Sequence, residues 1–244
     1  MTRIFIESAK TREGRIYVDG AALNHIKNVL RMHPGEQLSA SDGSGSAYLC
    51  RLAAYEKDCA VLEILTELRT HELSSRLVLF QGLPKGDKLE LIIQKAVELG
   101  ASCIVPVQMK RCIVKWDEKK AENRLKRYRA IAASAAEQSQ RDIIPEVTSC
   151  LSFSEALSMA RELDHILVPY EHAEGIEESR RILKSIRPGE SAGVFIGPEG
   201  GFEETEVQEI LQSGGHALTL GRRILRTETA GLTALSLLMF ELEE

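Results

Sequence analysis

The chain begins with a pattern typical of a small β-rich domain. Short runs that mix apolar and polar residues occur over the first 70 residues, among them RIFI, GRIYVDG, EQLSASDG, AYLCRLAAY and CAVLEILTEL. Turn signals such as DGSGS separate them, and one segment, AALNHIKNVLR, has helical spacing instead. Closely spaced strands with such turns predict a small barrel or sandwich with one helical insert.

From Arg76 onward the pattern changes to apolar runs that alternate with helical periods. RLVLFQ, SCIVPVQ, HILVP, AGVFIG and ALTLG are predicted to be buried strands, and helical segments separate them. This alternation predicts an α/β fold, with a mostly parallel sheet covered by helices on both faces. The change of pattern places the boundary near residues 68 to 76, so we expect one domain at 1–72 and another at 73–244.

Several helices have clear signals in the sequence. The segment KGDKLELIIQKAVELG has an apolar stripe at helical spacing and ends at Gly100. The stripe consists of Leu89, Ile92, Ile93, Ala96 and Val97. A long helix is predicted from about Asp117 to Gln140, and Ser152 with Glu155 predicts a capping box at the start of another.

The last segment, TETAGLTALSLLMFELEE, predicts a helix that is apolar on nearly all sides. Such a helix is expected to be buried on most sides, either inside its domain or in a subunit interface. Because Gly231, Ala234 and Ser236 allow close approach of another element, we favour a homodimer contact over a purely internal position.

Composition indicates a globular protein of the cytoplasm. Of the 244 residues 43% are hydrophobic and 27% charged, and no run approaches the ~20 apolar residues of a membrane span. The start, MTRIFIESAKTREGR, lacks the apolar core of a secretory signal. The cysteines are odd in number and form no CxxC pair, so we expect reduced, mostly structural thiols. They are Cys50, Cys59, Cys103, Cys112 and Cys150.

Charge is distributed unevenly along the chain. The formal net charge of -5 discourages binding to nucleic acid. Between Lys110 and Arg129, however, nine basic residues stand against three acidic ones, Asp117, Glu118 and Glu122. This basic segment is a candidate for contact with phosphates.

Three turns that follow predicted strands have unusual chemistry, and ligands of parallel sheets bind at such turns. One, FIGPEGGFEETEVQEI, contains neither a Walker motif nor G-x-G-x-x-G. Its carboxylates, at Glu199, Glu203, Glu204 and Glu206, would repel a polyphosphate within a Debye length of ~8 Å, which predicts a neutral or cationic nucleoside ligand. Alternatively, Pro198 and the glycines only form a tight turn, and the last three glutamates stabilise a helix N-terminus, the interpretation we favour for those three.

The turn LGRRILRTETAG carries three arginines, whose guanidinium groups suit a phosphate or a base edge. Thr227 is the predicted N-cap of the following helix. Arg226 precedes that cap inside the expected site, so we favour a functional role for it. Arg222 and Arg223 are open to either interpretation, functional or solvated.

Two further segments contain candidate ligand contacts. AAEQSQR places Glu137, Gln138 and Arg141 at the end of the long helix, where they form a plausible substrate-facing edge. HIKNVLRM places His25 and Arg31 in the first domain, although a lone histidine is more often structural. Spacing indicates no Ser-His-Asp arrangement, no catalytic carboxylate pair and no metal site.

The order of six motifs closely resembles the RsmE family, the bacterial 16S ribosomal RNA (uracil-N3)-methyltransferases. They are HIKNVLRM, KGDKLELIIQKAVELG, KRCIVK, AAEQSQR, IGPEGGF and LGRRILRTETA. The resemblance covers nearly the whole chain. It implies an N-terminal PUA-like β-barrel that binds RNA, a SPOUT methyltransferase domain with a trefoil knot, S-adenosyl-L-methionine as cofactor and a homodimer. The implied partner is 16S ribosomal RNA, free or within the small ribosomal subunit, and no membrane is involved.

The resemblance also assigns site residues. The methyl donor would be bound by Pro169, Tyr170, Glu171, Ile196, Gly197, Pro198, Glu199, Gly200, Gly201, Leu220, Gly221, Ile224 and Leu225. RNA would be bound by His25, Arg31, Lys85, Arg111, Glu137, Gln138 and Arg141. Arg226, Thr227 and Glu228 would face the target uridine and form the catalytic set. From their adjacency in the third turn we hypothesise that Arg226 stabilises negative charge on a uracil oxygen, while Glu228 or a water accepts the N3 proton.

This chain departs from the family pattern at two turns, with Gln140 where EQSGR is usual and Arg222 where LGPR is usual. Two other classes of function stay open at this point. One is a SPOUT methyltransferase for another rRNA or tRNA position, and the other is an RNA-binding protein without enzymatic activity.

Overall fold

The computed structural model describes residues 2–6, 11–12, 14–116, 118–173 and 175–243, without the side chains of Thr11 and of residues 118–120. The chain divides into two compact units. The first comprises residues 1–72 and 136–144, and the second comprises residues 73–135 and 145–244. The return of residues 136–144 to the first unit was not predicted from the sequence.

The first unit contains a six-stranded sheet. Its strands are β1 (Arg3–Phe5), β2 (Thr11–Arg12), β3 (Arg15–Val18), β4 (Gln37–Ser41), β5 (Ala47–Tyr55) and β6 (Ala60–Glu67), in the order β1-β4-β5-β6-β3-β2. Strands β1 and β4 pair in parallel, and the other pairs are antiparallel. Among the described residues, β1 and β2 are the two ends of this order.

The predicted helical insert follows β3. Helix α1 (Gly20–Asn24) continues directly into a π-helix (His25–Val29), whose Ile26 is buried in the core of the unit. Arg31, just beyond it, is exposed and has a positive φ of 52°. π-Helical turns and left-handed non-glycine residues are uncommon and occur often at functional sites.

Buried charges hold residues 136–144 in the first unit. Arg3 and Asp142 form an ion pair of 2.5 Å with both side chains almost fully buried. Glu72 accepts hydrogen bonds from the backbone N–H groups of Asp142 and Ile143 at 2.8 and 3.0 Å, and pairs with Arg141 at 2.5 Å. Each of these buried charges therefore has an opposite charge beside it, as burial requires.

Gln140, one of the two departures from the family pattern, has a positive φ of 60°. A residue with a Cβ pays about 1–2 kcal/mol in this conformation, whereas glycine does not. We expect Gln140→Gly to stabilise the protein by up to about 1 kcal/mol, after the extra entropy of glycine in the unfolded chain is deducted. Thermal denaturation would measure the change. Gln140→Ala is the control, since it keeps the Cβ, and a glycine variant that melts below the alanine variant would contradict the expectation.

The second unit contains seven parallel strands, which confirms the predicted parallel sheet. They are β7 (Leu77–Gly82), β8 (Cys103–Gln108), β9 (Glu146–Val147), β10 (Leu151–Ser152), β11 (His165–Pro169), β12 (Ala192–Ile196) and β13 (His216–Leu218). The order is β10-β8-β7-β12-β11-β13, with β9 paired to β8. The helices are α2 (Lys88–Glu98), α3 (Glu118–Gln138), α4 (Phe153–Ala160), α5 (Ile176–Ser185), α6 (Glu204–Gln212) and α7 (Thr227–Leu242).

The two central strands form the core of this unit. Every residue of β7 and β12 is buried, and Phe80 stacks on Phe195 with ring centroids 4.4 Å apart. All five predicted apolar positions of α2 are buried. Gly100 has a φ of +85° just after that helix, and the Ser152–Glu155 capping box is present on α4, so these predictions are confirmed. Asp117, the predicted start of α3, lies outside the described residues.

Helix α7 is buried on one side within the second unit. It packs against α2, α5, β7 and β12 and buries one face, which includes Gly231, Ala234 and Leu238. Its other side leaves Leu237 40% exposed and Phe240 80% exposed. The described part of the second unit therefore does not cover the whole apolar surface of this helix.

All five cysteines are free, as expected for reduced thiols. Burial raises the pKa of Cys50, Cys103 and Cys150 to about 12. Such thiols stay protonated at neutral pH, which fits a structural role.

Candidate functional site

Three turns at the carboxyl ends of neighbouring strands surround one cavity in the second unit. Strands β12, β11 and β13 are adjacent and parallel, so the turns that follow them meet at the same edge of the sheet. The cavity measures about 470 Å³. Every residue predicted to bind the methyl donor lines it, from Pro169 to Glu171, from Ile196 to Gly201, and at Leu220, Gly221, Ile224 and Leu225.

Other residues line the cavity without having been predicted as donor contacts. They are Lys88, Phe202, Thr219, Arg223 and Ala230, together with the predicted catalytic residues Arg226 and Thr227. Glu228, the third predicted catalytic residue, is not among the lining residues. Lys88 begins α2, far from the three turns in sequence, and no local motif singles it out.

The glycine turn after β12 is tightly packed. A Cβ on Gly197 would lie 3.0 Å from the carbonyl carbon of Gly201, so only glycine fits there without displacement. The space beside Gly82, at the end of β7, is smaller still, because a Cβ there would lie 2.7 Å from both the nitrogen and Cδ of Pro198. Gly201 completes the turn with a φ of +70° and donates to the Pro198 carbonyl at 2.9 Å.

The carboxylates of this turn are neutralised or hydrogen-bonded. Glu199 lies 3.1 Å from the Lys88 ammonium and accepts from the Lys85 backbone N–H at 3.0 Å. Glu203 pairs with Arg111 at 3.0 Å. The buried Glu206 accepts from the backbone N–H groups of Lys110 and Glu203, each at 2.9 Å. Cations from distant segments therefore offset the charge of Glu199 and Glu203, whereas the contacts of Glu206 are with backbone N–H groups.

These contacts confirm a structural role for two of the glutamates. Glu203 and Glu206 form a reciprocal capping box at the start of α6. Partial burial raises the pKa of Glu199, but the hydrogen bonds from the Lys85 backbone and the Lys88 side chain outweigh it and hold this pKa below its usual value. The hydrogen bond to Glu199 in turn raises the pKa of Lys88. Lys88 and Glu199 are therefore both charged at neutral pH.

The third turn leads directly into α7. Thr227 was predicted as the N-cap, but it is the first helical residue, and Arg226 occupies the cap position with extended backbone. The Thr227 hydroxyl is buried and donates to the carbonyl oxygen of Gly197 at 2.6 Å, which is why it does not cap the helix. Glu228 lies 3.3 Å from the Lys88 ammonium, so Lys88 bridges the second and third turns.

Arg226 is a cation at the cavity that is available to a ligand. Its side chain is exposed and has no ion-pair or hydrogen-bond partner among the described residues. Lys88, by contrast, is engaged by two carboxylates. An unpartnered guanidinium can receive a phosphate or a carbonyl oxygen in a bidentate manner.

Of the residues predicted to bind RNA, two lie in the second unit close to the glycine turn. Lys85 has an exposed side chain, and its backbone N–H bonds to Glu199. Arg111 pairs with Glu203 and donates to the Gly200 carbonyl at 3.2 Å. Arg111 therefore supports the outer side of the glycine turn in addition to any contact with RNA.

The other predicted RNA ligands lie in the first unit. His25 Nδ1 is 3.8 Å from Glu137 Oε1, and Gln138 and Arg31 are exposed. The prediction that Arg141 binds RNA is corrected by the structure. Arg141 is only 6% exposed, and its guanidinium donates to the carboxylate of Glu72. The geometry favours a structural role for Arg141 over contact with RNA.

Several cations of the basic segment already have partners within the protein. Arg127 pairs with Glu90, Lys126 pairs with Glu122, and Arg129 donates to a backbone carbonyl. Arg124 lies over the ring of Trp116, 6.0 Å from its centroid. Asp117 and the side chains of residues 118–120 lie outside the described part of the chain.

Two features are absent from the described residues. Within them, no helix is both long enough and apolar enough to span a lipid bilayer. The same residues contain no cluster of three His, Cys, Asp or Glu side chains that could hold a metal ion.

Comparison with known proteins identifies the family. Residues 71–239 match the family described as RNA methyltransferase domain, and residues 18–65 match the RNA methyltransferase PUA domain. The chain is 40% identical over 252 residues to ribosomal RNA small subunit methyltransferase E of Bacillus subtilis, an alignment that covers 100% of this chain and 98% of that protein.

Solved structures agree with this match. Ribosomal RNA small subunit methyltransferase E from Neisseria gonorrhoeae, bound to S-adenosyl methionine, is 36% identical with a TM-score of 0.81, over 97% of this chain and 95% of that one. A methyltransferase from Legionella pneumophila in complex with the cofactor SAM is 29% identical with a TM-score of 0.82, over 98% and 97%. The fold, the matched domains and the full-length identity together establish that the chain belongs to the ribosomal RNA small subunit methyltransferase E family.

Proposed function

We propose that this protein transfers a methyl group from S-adenosylmethionine to N3 of a uridine in 16S ribosomal RNA of the small ribosomal subunit. The observation that carries the proposal is the convergence of the three turns on one cavity, lined by all the residues that the family resemblance assigns to the donor. A first unit with a PUA-domain match supports RNA as the substrate.

The residues around the cavity fit this donor. The volume of about 470 Å³ lies in the range of roughly 300–1,000 Å³ that small-molecule sites occupy. At Gly201 and Gly221 a Cβ would meet no protein atom within 4 Å, so the backbone at both positions is accessible. Cations (Lys88, Arg223, Arg226) and anions (Glu171, Glu199) both line the wall, which suits the carboxylate, ammonium and sulfonium groups of one ligand.

The donor supplies an activated methyl group, and the chain supplies position and charge. The turns at 169–171, 197–201 and 220–225 would hold adenine and ribose through backbone groups. Arg226 would stabilise the negative charge that develops on a uracil oxygen as the N3 proton leaves. Because Glu228 is paired with Lys88 and does not line the cavity, we assign it to holding the third turn and assign the proton to a water.

Mass spectrometry and primer extension test the function directly. The purified protein and S-adenosylmethionine would be incubated with small subunits, or with bare 16S RNA, from a strain that lacks the modification. We expect one methyl group per RNA and a block to reverse transcription at a single uridine, since N3 methylation removes a base-pairing position. Methylation at another position, or of tRNA alone, would instead favour a related methyltransferase. Absence of heat on titration with S-adenosylmethionine would favour a non-enzymatic RNA-binding protein.

We propose that phosphate contacts dominate RNA binding. Affinity is then expected to fall with salt at a log–log slope of about -0.7 to -0.9 for each phosphate contact. Replacing the exposed Lys115 with glutamine should make the slope shallower by about one such unit. Fluorescence anisotropy between 50 and 200 mM salt measures it. Lys184→Gln, an exposed lysine on α5 outside the basic segment, is the control, and equal slopes for the two variants would contradict the expectation.

We propose that the protein is a homodimer in which the exposed side of α7 meets a second copy. Phe240 is 80% exposed on that helix, and covering such a side chain is favourable. Light scattering after size exclusion should give about twice the chain mass of 27.1 kDa. Phe240→Glu should shift the mass to that of the monomer. Leu211→Glu, at a residue 43% exposed on α6, should leave the dimer intact, and a Phe240 variant that stays dimeric would place the interface elsewhere.

We also propose the SPOUT trefoil knot and a cytoplasmic location, where ribosomal subunits are assembled. The order of the sheet supports the knot, because the chain passes from β13 at the edge back to α7, which packs against the central strands β7 and β12. Such a path brings the third turn beside the second.

A further inference from the structure

Gln81 is a fully buried amide next to the donor cavity that no local motif singles out. It is the penultimate residue of β7, pairs in register with Ile196 of β12, and has no exposed surface. Its Nε2 donates two hydrogen bonds of 2.9 Å, one to the carbonyl oxygen of Gly82 and one to the Thr227 hydroxyl. Gln81 itself does not line the cavity.

The direction of these hydrogen bonds is fixed by their chemistry. A carbonyl oxygen only accepts, so the amide nitrogen of Gln81 must face Gly82. The same nitrogen then donates to Thr227 Oγ1, which leaves the hydroxyl proton for the Gly197 carbonyl 2.6 Å away. Two consecutive hydrogen bonds therefore link the Gln81 amide through the Thr227 hydroxyl to the carbonyl oxygen of Gly197.

These two hydrogen bonds connect two of the turns that surround the cavity. Gly197 belongs to the turn after β12, Thr227 follows the turn after β13, and both line the cavity. Without Gln81 the Thr227 hydroxyl loses the partner that orients its proton toward Gly197. The separation of the two turns would then depend on weaker contacts.

The other polar atom of this side chain has no partner of its own. The Oε1 atom of Gln81 is buried and accepts no hydrogen bond among the described residues. A buried acceptor without a partner costs free energy. The two hydrogen bonds donated by Nε2 are therefore what the amide contributes at this position.

We propose that Gln81 is a positioning residue for the methyl-donor site, acting through Thr227 on the glycine turn. The inference rests on the proposed function, because it concerns the geometry of the same cavity. It predicts that removal of the amide weakens donor binding in the folded protein, and that this loss depends on the Thr227 hydroxyl. A residue with only a packing role would show no such dependence on Thr227.

The test compares Gln81→Met and Gln81→Leu with the wild type by calorimetric titration with S-adenosylmethionine and by thermal melting. We expect about a tenfold loss of affinity, the amount that one well-placed hydrogen bond can supply, in variants that still melt cooperatively. Gln108→Met is the matched control, because Gln108 ends β8 and, among the described residues, its side chain donates only to the Val114 carbonyl. It should leave the affinity within about twofold, less than one weak hydrogen bond would contribute.

A double-mutant cycle with Thr227→Val tests the route through Thr227. If Gln81 acts through this hydroxyl, the Gln81→Met and Thr227→Val losses of affinity are not additive. Additive losses would overturn the proposal.

Three other outcomes would also decide whether the proposal about Gln81 stands. Unchanged donor affinity in both Gln81 variants overturns the inference while the proposed function stands. Failure of both variants to fold overturns it as well, since the amide would then be needed for stability. A wild-type protein that does not bind S-adenosylmethionine removes the proposed function and this inference together.

Discussion

Replacing Arg226 with alanine is expected to lower the rate of methyl transfer by roughly a hundredfold or more, the usual cost of losing a preorganised charge partner of the transition state. The guanidinium lines the cavity, is exposed and has no partner among the described residues, so its charge is available to the substrate. The loss should appear in kcat, because the charge on the uracil oxygen develops only as the N3 proton leaves. Single-turnover assays with tritiated S-adenosylmethionine would measure it.

Arg222→Ala is the matched control for this prediction. Arg222 is an exposed arginine of the same turn, but it does not line the cavity. Its removal takes away the same charge from the same surface and should leave kcat within a few-fold. Equal effects of the two substitutions would show that only the total positive charge of the turn matters. A wild-type rate for Arg226→Ala would show that Arg226 has no role in the mechanism.

Replacing Gly82 with alanine is expected to damage the site, although Gly82 itself is not a predicted contact residue. The added Cβ would lie 2.7 Å from the backbone nitrogen and Cδ of Pro198 and 3.0 Å from Met109 Sδ. Backbone cannot move aside as a flexible side chain can, so the glycine turn must shift. Such overpacking costs about 1–3 kcal/mol and should lower the melting temperature by several degrees. Donor affinity should fall at least tenfold, because the shifted turn includes Gly197.

The control for Gly82 is the same substitution at Gly231 on α7. A Cβ there would meet its nearest neighbours, Gln81 Oε1 and Ile196 Cγ1, at 3.6 and 3.7 Å, which are ordinary contacts. Alanine in a helix interior is more favourable than glycine by about 0.5–1 kcal/mol. Gly231→Ala should therefore melt at or above the wild-type temperature, and a Gly82 variant equally stable would disprove the predicted clash.

Local patterns predicted most of the fold and the three turns of the site. The spacing of Leu89, Ile92 and Val97 defines α2 by itself, and the glycine turn is recognisable as a contiguous stretch. Parallel strands then bring such turns together, so residues distant in sequence could be grouped correctly around one cavity.

Contacts between remote segments could not be predicted in this way. Lys88 and Gln81 belong to elements more than a hundred residues away from the carboxylate and hydroxyl that they bind. The pairing of Lys88 with Glu199 and of Arg111 with Glu203 was likewise not predicted. Thr227 is of a residue type that often caps helices. Its hydroxyl instead donates to the carbonyl oxygen of Gly197, which is remote in sequence.

The protonated thiols give the protein a useful chemical property. Burial holds the pKa of Cys50, Cys103 and Cys150 at about 12, so these thiols are protonated at pH 7, and alkylating reagents react with the thiolate. Burial raises the pKa of Cys59 and Cys112 as well. A maleimide dye should therefore react first with a cysteine introduced at an exposed position, so that fluorescence can follow a single labelled turn in the otherwise native chain.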